Sequence, residues 1–373
     1  MTILVAAESG RALAAAARRA GEEVVTADFF GDLDTRSFGR WLPLPGSLAT
    51  GIDPDGCLKM LQRLGREIEG CVYGAGFEAH PALLDAMSRQ APLLGNGAAS
   101  VAAVKDEWRL AALLDRLGIP HPRIAAAPPP GSGWLRKKRG GAGGIHVQPA
   151  DTAAREDGHY FQERAPGQPI SALFIADGRT ARVIAFSEQW AAPSAAAPFR
   201  YGGCAGPAPV PPRFERSVSD ACAAIVASVG LVGVNSLDML VDGDAFTVLE
   251  INPRPGATLD IFDVPPHPPL GRSHLESVAG RLPAAEGFAT RQGARAAMVV
   301  YAPRKLHVSE HMHWPDWSAD RPAPGTIIDA DDPVCTVRSE GETVEAARAA
   351  AEARGAMILR ALTPVPAELP ATA

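Results

Sequence analysis

The sequence predicts a mixed α/β protein (α/β with α+β character), in which a parallel strand-and-helix layer is followed by strand-rich lobes. Three observations carry this. Over the first hundred residues short apolar runs alternate with helical stretches, the pattern of a parallel sheet with helical crossovers. From about residue 134 the runs become β-branched and closely spaced, with Gly and Asp-Gly turns between them, which is the signature of antiparallel pairing. The 373 residues exceed what one hydrophobic core accommodates, so two or three packed domains are expected.

Composition bounds the function. With 46% hydrophobic and 21% charged residues the chain reads as globular. A net charge of -6, without a basic run able to track a phosphate backbone, argues for no nucleic-acid partner. No window approaches a membrane span, and the N-terminus has no basic stretch followed by a long apolar run, so no membrane role is expected. Cysteines at 57, 71, 204, 222 and 335 are odd in number and lack metal-type pairing; they read as reduced thiols of a cytoplasmic protein.

Residues 2–7 (TILVAA) form a short buried strand, and the turn from Glu8 to Arg11 leads into RALAAAARRA, a strong helix that Gly21 stops. EEVVTADFF is a second strand, CVYGAG a third and APLLGN a fourth, with ALLDAMSRQ helical before the last. Ligands of such sheets bind at the carboxyl ends of the strands. Two stretches lie there: Glu8 to Arg11, and residues 74–80, which hold Glu78 and His80. Their glycines are too few for a dinucleotide fingerprint, and ordinary loop polarity is the plain reading of Glu78 and His80.

The run SVAAVKDEWRLAALLDRLGIP reads as a helix carrying Lys105, with Gly118 as its stop and Pro120 just beyond. A lone helical lysine is usually a solvated charge. After the linker at 128–131, WLRKKRGGAGGIHV reads as strand, loop, strand. Gly140, Gly141, Gly143 and Gly144 give a loop whose N–H groups can wrap phosphates, although it is not a Walker loop, which needs Gly-Lys-Ser/Thr opening a helix. On the preceding strand Lys137 shares a face with Leu135 and Lys138 takes the other. Residues 160–167 (YFQERAPG) end a strand and begin a linker, and ISALFIADGRTARVIAFSEQW is a hairpin with an Asp-Gly turn. The loop that follows is too long to be idle. Arg200 beside it is a candidate holder of a substrate carboxylate or acyl phosphate, with a surface linker as the alternative. SVSDACAAIVASVG is a helix.

The chemistry concentrates in residues 232–260, a hairpin turning at Asp242-Gly243-Asp244. Strand alternation puts Glu250 and Asn252 on one face, a carboxylate and an amide oxygen suited to a hard cation such as Mg²⁺. Asp238 on the preceding strand completes the set only if it faces the same side. Facing residues in a hairpin share a side when their numbers sum to an even value, so a loop of three or five residues is expected; two or four would turn Asp238 away. Arg254, held extended between Pro253 and Pro255, offers a five-donor guanidinium to phosphate oxygens. Past residue 260 come a Pro-rich passage, the helical HLESVAGRL and a strand at 294–302. His307, His311 and His313 lie beside Trp314 and Trp317 without a carboxylate or cysteine at a zinc spacing, and read as loop residues. GTIIDADDPVCTVRSEG holds short strands, and a terminal amphipathic helix follows.

Taken in order, Lys105, the glycine loop, the Gln-Glu hinge, Asp238 and the Glu-x-Asn-Pro-Arg-Pro-Gly string resemble the ATP-grasp superfamily over roughly residues 100–263. The resemblance implies an ATP-grasp fold with an N-terminal parallel α/β layer (1–98), a nucleotide lid subdomain (99–165), a catalytic subdomain on a central mixed sheet (166–290) and a small C-terminal β-rich subdomain (291–373). It implies ATP with Mg²⁺, or Mn²⁺ in its place, the metal held by Asp238, Glu250 and Asn252. Lys105, Lys137 (or Lys138) and the glycines would meet the phosphates. Gln162, Glu163, Arg164 and Ala165 would pair with the adenine edge through their backbone, with the Glu163 side chain on N6 or the ribose as an alternative. Lys137, Arg200 and Arg254 would be catalytic, offsetting charge as phosphoryl transfer requires.

The implied activity is a carboxylate–amine or carboxylate–thiol ligase that works through an acyl phosphate, with the N-terminal layer contributing to the second substrate's site. The LEINPRPGATLD ending and GTIIDADDPVCTV tail look like predicted ATP-dependent carboligases similar to tyramine–glutamate ligase, of methanopterin and methylofuran biosynthesis. That implies glutamate joined to a pterin or furan precursor. A bicarbonate-using purine-type carboxylase and a non-catalytic ATP-binding module are the alternatives. Small molecules are the expected partners, and a homodimer is left open.

Overall fold

The computed structural model describes residues 1–127, 131, 133–150, 157–284, 288 and 293–365; of the linker expected at 128–131, residues 128–130 lie outside them. The chain opens with four parallel strands in the order Arg40–Pro43, Glu23–Asp28, Thr2–Ala6 and Gly70–Tyr73. The inner strands are buried nearly throughout, as strands covered on both faces by crossover helices must be. The strand expected at 91–96 shrinks to a single bridge between Cys71 and Leu93. Pro92 has no N–H to give a ladder there.

A small antiparallel lid sheet follows, ordered Ile124–Ala125, His159–Glu163, Trp134–Lys138 and Gln148–Pro149. The central sheet has eight strands: Ala245–Asn252, Val232–Asp242, Gln168–Asp177, Ala181–Ala191, Tyr201–Gly206, Ala294–Tyr301, Pro333–Gly341 and Ser318–Ala319. All its pairings are antiparallel, so parallel and antiparallel geometry are divided between layers rather than mixed within one sheet. Past residue 293, Ala294–Tyr301, Pro333–Gly341 and Ser318–Ala319 extend this sheet, whereas Ile327–Ile328, Leu306–His307 and Thr363–Pro364 form a small antiparallel sheet of their own.

One strand shows why the layers stack. In Gln168–Asp177, Ile170, Ala172, Phe174 and Ala176 enter the core beneath the helices Glu107–Leu117 and Pro212–Val229, whereas Leu173 and Ile175 pack with Ile3, Val5 and Leu13 of the N-terminal layer. Alternate residues point to opposite faces, so a continuous apolar run buries both. The C-terminal helix Val344–Ala361 lies on the strands Ala294–Tyr301 and Pro333–Gly341 through Val344, Ala347, Ala351, Gly355 and Ile358. A Cβ on Gly355 would sit 2.5 Å from the Met298 methyl, which is why the helix presents small residues there.

Polar ties fix the N-terminal layer to the rest. Arg11, 5% exposed, holds Asp260 and Asp320 at once: Nη2 lies 2.7 Å from Asp260 Oδ2 and 2.9 Å from Asp320 Oδ2, and Nε is 3.0 Å from Asp320 Oδ1. The Asn96 amide donates to the Val232 and Pro253 carbonyls and to Asn235 Oδ1, and accepts from the Val232 N–H at 2.7 Å. His274 Nδ1 accepts from the Val234 N–H while Nε2 donates to the Leu94 carbonyl, so the ring is neutral, and burial pushes its pKa down. All five cysteines are free and buried. Among the described residues no helix is long and apolar enough to cross a membrane.

Candidate active site

The hairpin at the sheet edge departs from expectation in a way that matters. Asp242 faces Ala245, so the loop has two residues rather than three or five, and Gly243 takes φ 60° within it. By loop length alone Asp238 would face away from Glu250. The register shifts after Met239, however: Met239 faces Val248 while Asp238 faces Glu250, leaving Leu249 as an extra residue. This β-bulge restores the parity that the short turn removes. Asp238 and Glu250 therefore stand side by side, with the Asn252 amide donating to Asp238 Oδ2 at 2.8 Å.

The helix over this edge is broken. Ala98–Lys105 ends and Glu107–Leu117 begins at Asp106, an extended residue whose carboxylate caps the second helix at the Trp108 and Arg109 N–H groups. Lys105 thus projects from a helix end, its ammonium 3.4 Å from both Glu250 Oε2 and Asn252 Oδ1. Across the cleft Lys137 descends from the lid to donate to Gln162 Oε1 at 3.2 Å. Lys137 is the inward lysine of its pair, and Lys138 stays exposed at the rim. Burial is the main force pushing the Lys137 ammonium down, and Lys105 adds to it against the pull of Glu250 and Asp238. Arg254 Nε donates to Glu78 Oε1 at 2.7 Å and Nη1 to the Pro255 carbonyl at 3.4 Å, while the guanidinium lies close enough to Glu250 and Asp238 to feel their charge.

The two carboxylates respond oppositely. Burial and the Glu250 charge hold the Asp238 carboxyl above the usual carboxylate range, partly offset by the Ser171 hydroxyl donating at 2.6 Å. Burial also disfavours ionised Glu250, but Lys105, Lys137 and Arg254 together overcome it and hold its carboxyl low. Facing carboxylates that repel one another, beside an amide oxygen already turned to a lysine ammonium, make a hard-oxygen donor set. The residues fit Mg²⁺ or Mn²⁺ on that ground. Among the described residues no group of three or more His, Cys, Asp or Glu side chains could hold a metal ion; the three tail histidines form no such group.

The cleft between lid and sheet is lined by Lys105, Lys137, Gly140, Gly141, Gln162 and Glu250, together with apolar Val104, Leu110, Leu114, Ile124 and Val248. The remaining sequence-predicted positions fall elsewhere. Gly143 and Gly144 are docked on another loop: the Tyr201 N–H bonds to the Gly143 carbonyl at 2.8 Å, and a Cβ on Gly144 would lie 2.1 Å from the Phe199 carbonyl oxygen. The Glu163 carboxylate is held at the surface by Arg123 Nε and Nη2, at 2.8 and 2.7 Å, and does not point into the cleft. Its backbone N–H goes to the Arg123 carbonyl and that of Arg164 to Gly133, so those two donors are already used within the protein; neither Arg164 nor Ala165 lines the cleft.

Arg200 is a further correction. Its guanidinium lies 3.6 Å over the Tyr301 ring, Nε donates to the Ala192 carbonyl and Nη1 to the Asp331 carbonyl and carboxylate. It braces a loop instead of facing the cleft. Sequence reasoning passed over Ser171 and Gln189, which donate to Asp238, and His146, whose pKa burial and Lys137 push down to about 4. It also set Glu78 aside as loop polarity, although this carboxylate anchors Arg254. His146 follows directly on the glycine loop, a position that could have marked it; Ser171 and Gln189 carry no local signal.

A lid sheet lies over an antiparallel sheet edge, where two lysines and an arginine converge on a carboxylate–amide set. Comparison with known families makes this specific: residues 104–258 match the model of the ATP-grasp domain, and the fold is the ATP-grasp fold. No curated protein matches the chain by sequence. Among solved structures it is similar to a biotin carboxylase–β,γ-ATP complex from Campylobacter jejuni (TM-score 0.72, 13% identity, covering 97% of this chain and 91% of that one). It is also similar to the biotin carboxylase domain dimer of Hydrogenobacter thermophilus 2-oxoglutarate carboxylase, solved with MgADP, ADP and bicarbonate (TM-score 0.72, 12% identity, 93% and 87% covered). A Rhizobium etli pyruvate carboxylase with acetyl coenzyme A gives TM-score 0.73 at 14% identity, with 97% of this chain covering 37% of that larger one. At these identities the likeness is one of fold.

Proposed function

We propose that the protein is an ATP-dependent carboxylate–amine ligase. The observation that carries this reading is the convergence of Asp238, Glu250 and Asn252 with Lys105, Lys137 and Arg254 beside a cleft that Lys105, Lys137 and Glu250 share with apolar side chains such as Leu110, Leu114 and Ile124. The apolar lining suits a base and the charged groups suit a triphosphate. In the first step the γ-phosphoryl group moves from ATP to a substrate carboxylate oxygen, giving ADP and an acyl phosphate. In the second an amine nitrogen attacks the acyl carbon, the bond from that carbon to the phosphate oxygen breaks, phosphate leaves and the nitrogen gives up a proton.

Such chemistry asks the protein for positioning and charge neutralisation. Lys105 and Lys137 would bind the phosphates and Arg254 the transferred group, while the glycine backbone at Gly140 and Gly141 would close over them. Mg²⁺ held by Asp238, Glu250 and Asn252 would supply further neutralisation of the phosphate oxygens. The hairpin exit and C-terminal tail support, by their resemblance, a finer reading in which glutamate is added to a pterin or furan one-carbon carrier precursor in the cytoplasm.

The test is Mg²⁺-dependent ADP release, screened against amino acids, pterin and furan acids, amines and bicarbonate, with mass spectrometry of the product. Release that needs a carboxylate–amine pair, with a product of summed mass less water, supports the ligase. The likeness to biotin carboxylase folds favours one second reading, a carboxylase. Release driven by bicarbonate and an aminoimidazole, with none from amino acids, would replace the ligase by that reading. ATP binding with no turnover from any pair would favour a binding module.

A further inference from the structure

The nucleotide cleft leaves one carboxylate half explained. Glu78 is 1% exposed; its Oε1 takes Arg254, but its Oε2 is buried and meets no donor. A buried acceptor in that state is costly, and native folds leave few of them without a reason. Beside it lies Glu8, from the end of the first parallel strand. Its Cγ and Oε1 sit 2.8 and 3.0 Å from where a Cβ on Gly76 would stand, and Gly76 has φ +98°, so only glycine lets the Glu8 side chain lie across the 74–78 turn. Among the described residues the Glu8 carboxylate has no hydrogen-bond partner. Burial first, then the Glu78 charge, push its pKa up, with Arg254 opposing. Two carboxylates sharing one guanidinium leave this corner with an uncompensated negative charge and no donors for its free oxygens.

We infer that Glu8 and Glu78 form a subsite for the primary ammonium group of the acceptor substrate, next to Arg254. The inference rests on the ligase reading above and deepens it. A primary ammonium supplies three N–H donors and one positive charge, the two things the corner lacks; a thiol or hydroxyl supplies one donor and no charge. The subsite therefore selects an amine over a thiol. Its place fits the chemistry, because Arg254 lies between it and the carboxylate pair where the acyl phosphate would form, and Glu8 and Glu78 follow the carboxyl ends of the parallel strands Thr2–Ala6 and Gly70–Tyr73.

The probe is ethylammonium chloride, compared with tetramethylammonium chloride at equal ionic strength, its binding to the full-length protein followed by saturation-transfer NMR. Wild type should bind ethylammonium saturably and tetramethylammonium not at all. Glu8→Gln should weaken ethylammonium at least tenfold while its ATP affinity stays within twofold. Equal response of wild type to the two cations, or unchanged binding in Glu8→Gln, overturns the subsite; if that variant does not fold, the wild-type comparison alone decides. Glu8-dependent ethylammonium binding in a protein that releases no ADP with any pair would keep the subsite and sink the ligase. Conversely, ADP release whose amine KM is the same in Glu8→Gln and wild type would keep the ligase and sink the subsite.

Discussion

Glu250 faces three cationic side chains and one carboxylate, so its charge sets the field of the cleft. Replacing it by Gln keeps the shape and removes the charge. We expect kcat for ADP release to fall by roughly 10²–10³ with folding intact, the size of loss seen when one group that stabilises transition-state charge is removed; a steady-state assay beside a thermal melt checks both halves. Asp32 gives a different test. Burial, with Asp320, Asp34 and Asp28 nearby and only Arg11 opposing, raises its pKa to about 8. A carboxyl raised on folding keeps its proton in the native state after the unfolded chain has released it. Stability is therefore favoured at low pH and declines as pH rises from about 4 through 8. Asp32→Asn should flatten that decline, making the variant more stable than wild type by about 1–2 kcal/mol at pH 8 and nearly equal to it at pH 4, as urea titrations at both pH values would show. At this scale Glu250 and Asn252, alternate on one strand, and Arg254 just past its end could be picked out because their spacing is itself the signal. Glu78 could not, since its meaning comes from Arg254, 176 residues away in sequence.

Among the elements, the site hairpin offers the sharpest prediction. Turn length and bulge compensate each other: the two-residue turn puts Asp238 out of phase and Leu249 puts it back. Deleting Leu249 should join Val248 directly to Glu250, leave Asp238 facing Glu250 on the same side in a regular two-residue hairpin, and keep Mg²⁺-dependent ADP release within about tenfold of wild type. A steady-state assay checks this, and a larger loss in a folded variant would mean that the bend of the bulge has a task beyond setting the parity. The parity rule was legible in the sequence, but the bulge was not, because nothing in Val248, Leu249 or Glu250 marks an unpaired residue. The helix break at Asp106 was likewise hidden in an unbroken apolar pattern, although Asp is a strong N-cap residue. Arg200 misled for the opposite reason: a loop arginine beside glycines looks free in one dimension, and its partners Tyr301 and Asp331 lie 100 or more residues further on.

For the whole molecule, a parallel N-terminal layer followed from strand–helix alternation, although its edge strand Arg40–Pro43 did not, and the ATP-grasp core followed from the order of its motifs. What holds the layers together was not legible, because Asn96, His274 and Arg11 act through distant partners. Arg11→Met should cost about 3–5 kcal/mol in a urea titration, the loss typical of breaking a buried ion pair from one side and leaving its carboxylates unpaired.

The same guanidinium has a consequence in time. Arg11 is made 309 positions ahead of Asp320. A ribosome releases chain from the N-terminus onward, and early segments fold while later ones are still being built. The N-terminal layer therefore waits with its central cation half matched, beside Asp34 at first and then Asp260, until Asp320 is added. Its last ion pair closes only when the C-terminal segment emerges, so a nascent chain stalled before residue 320 should be far more open to protease than the finished protein.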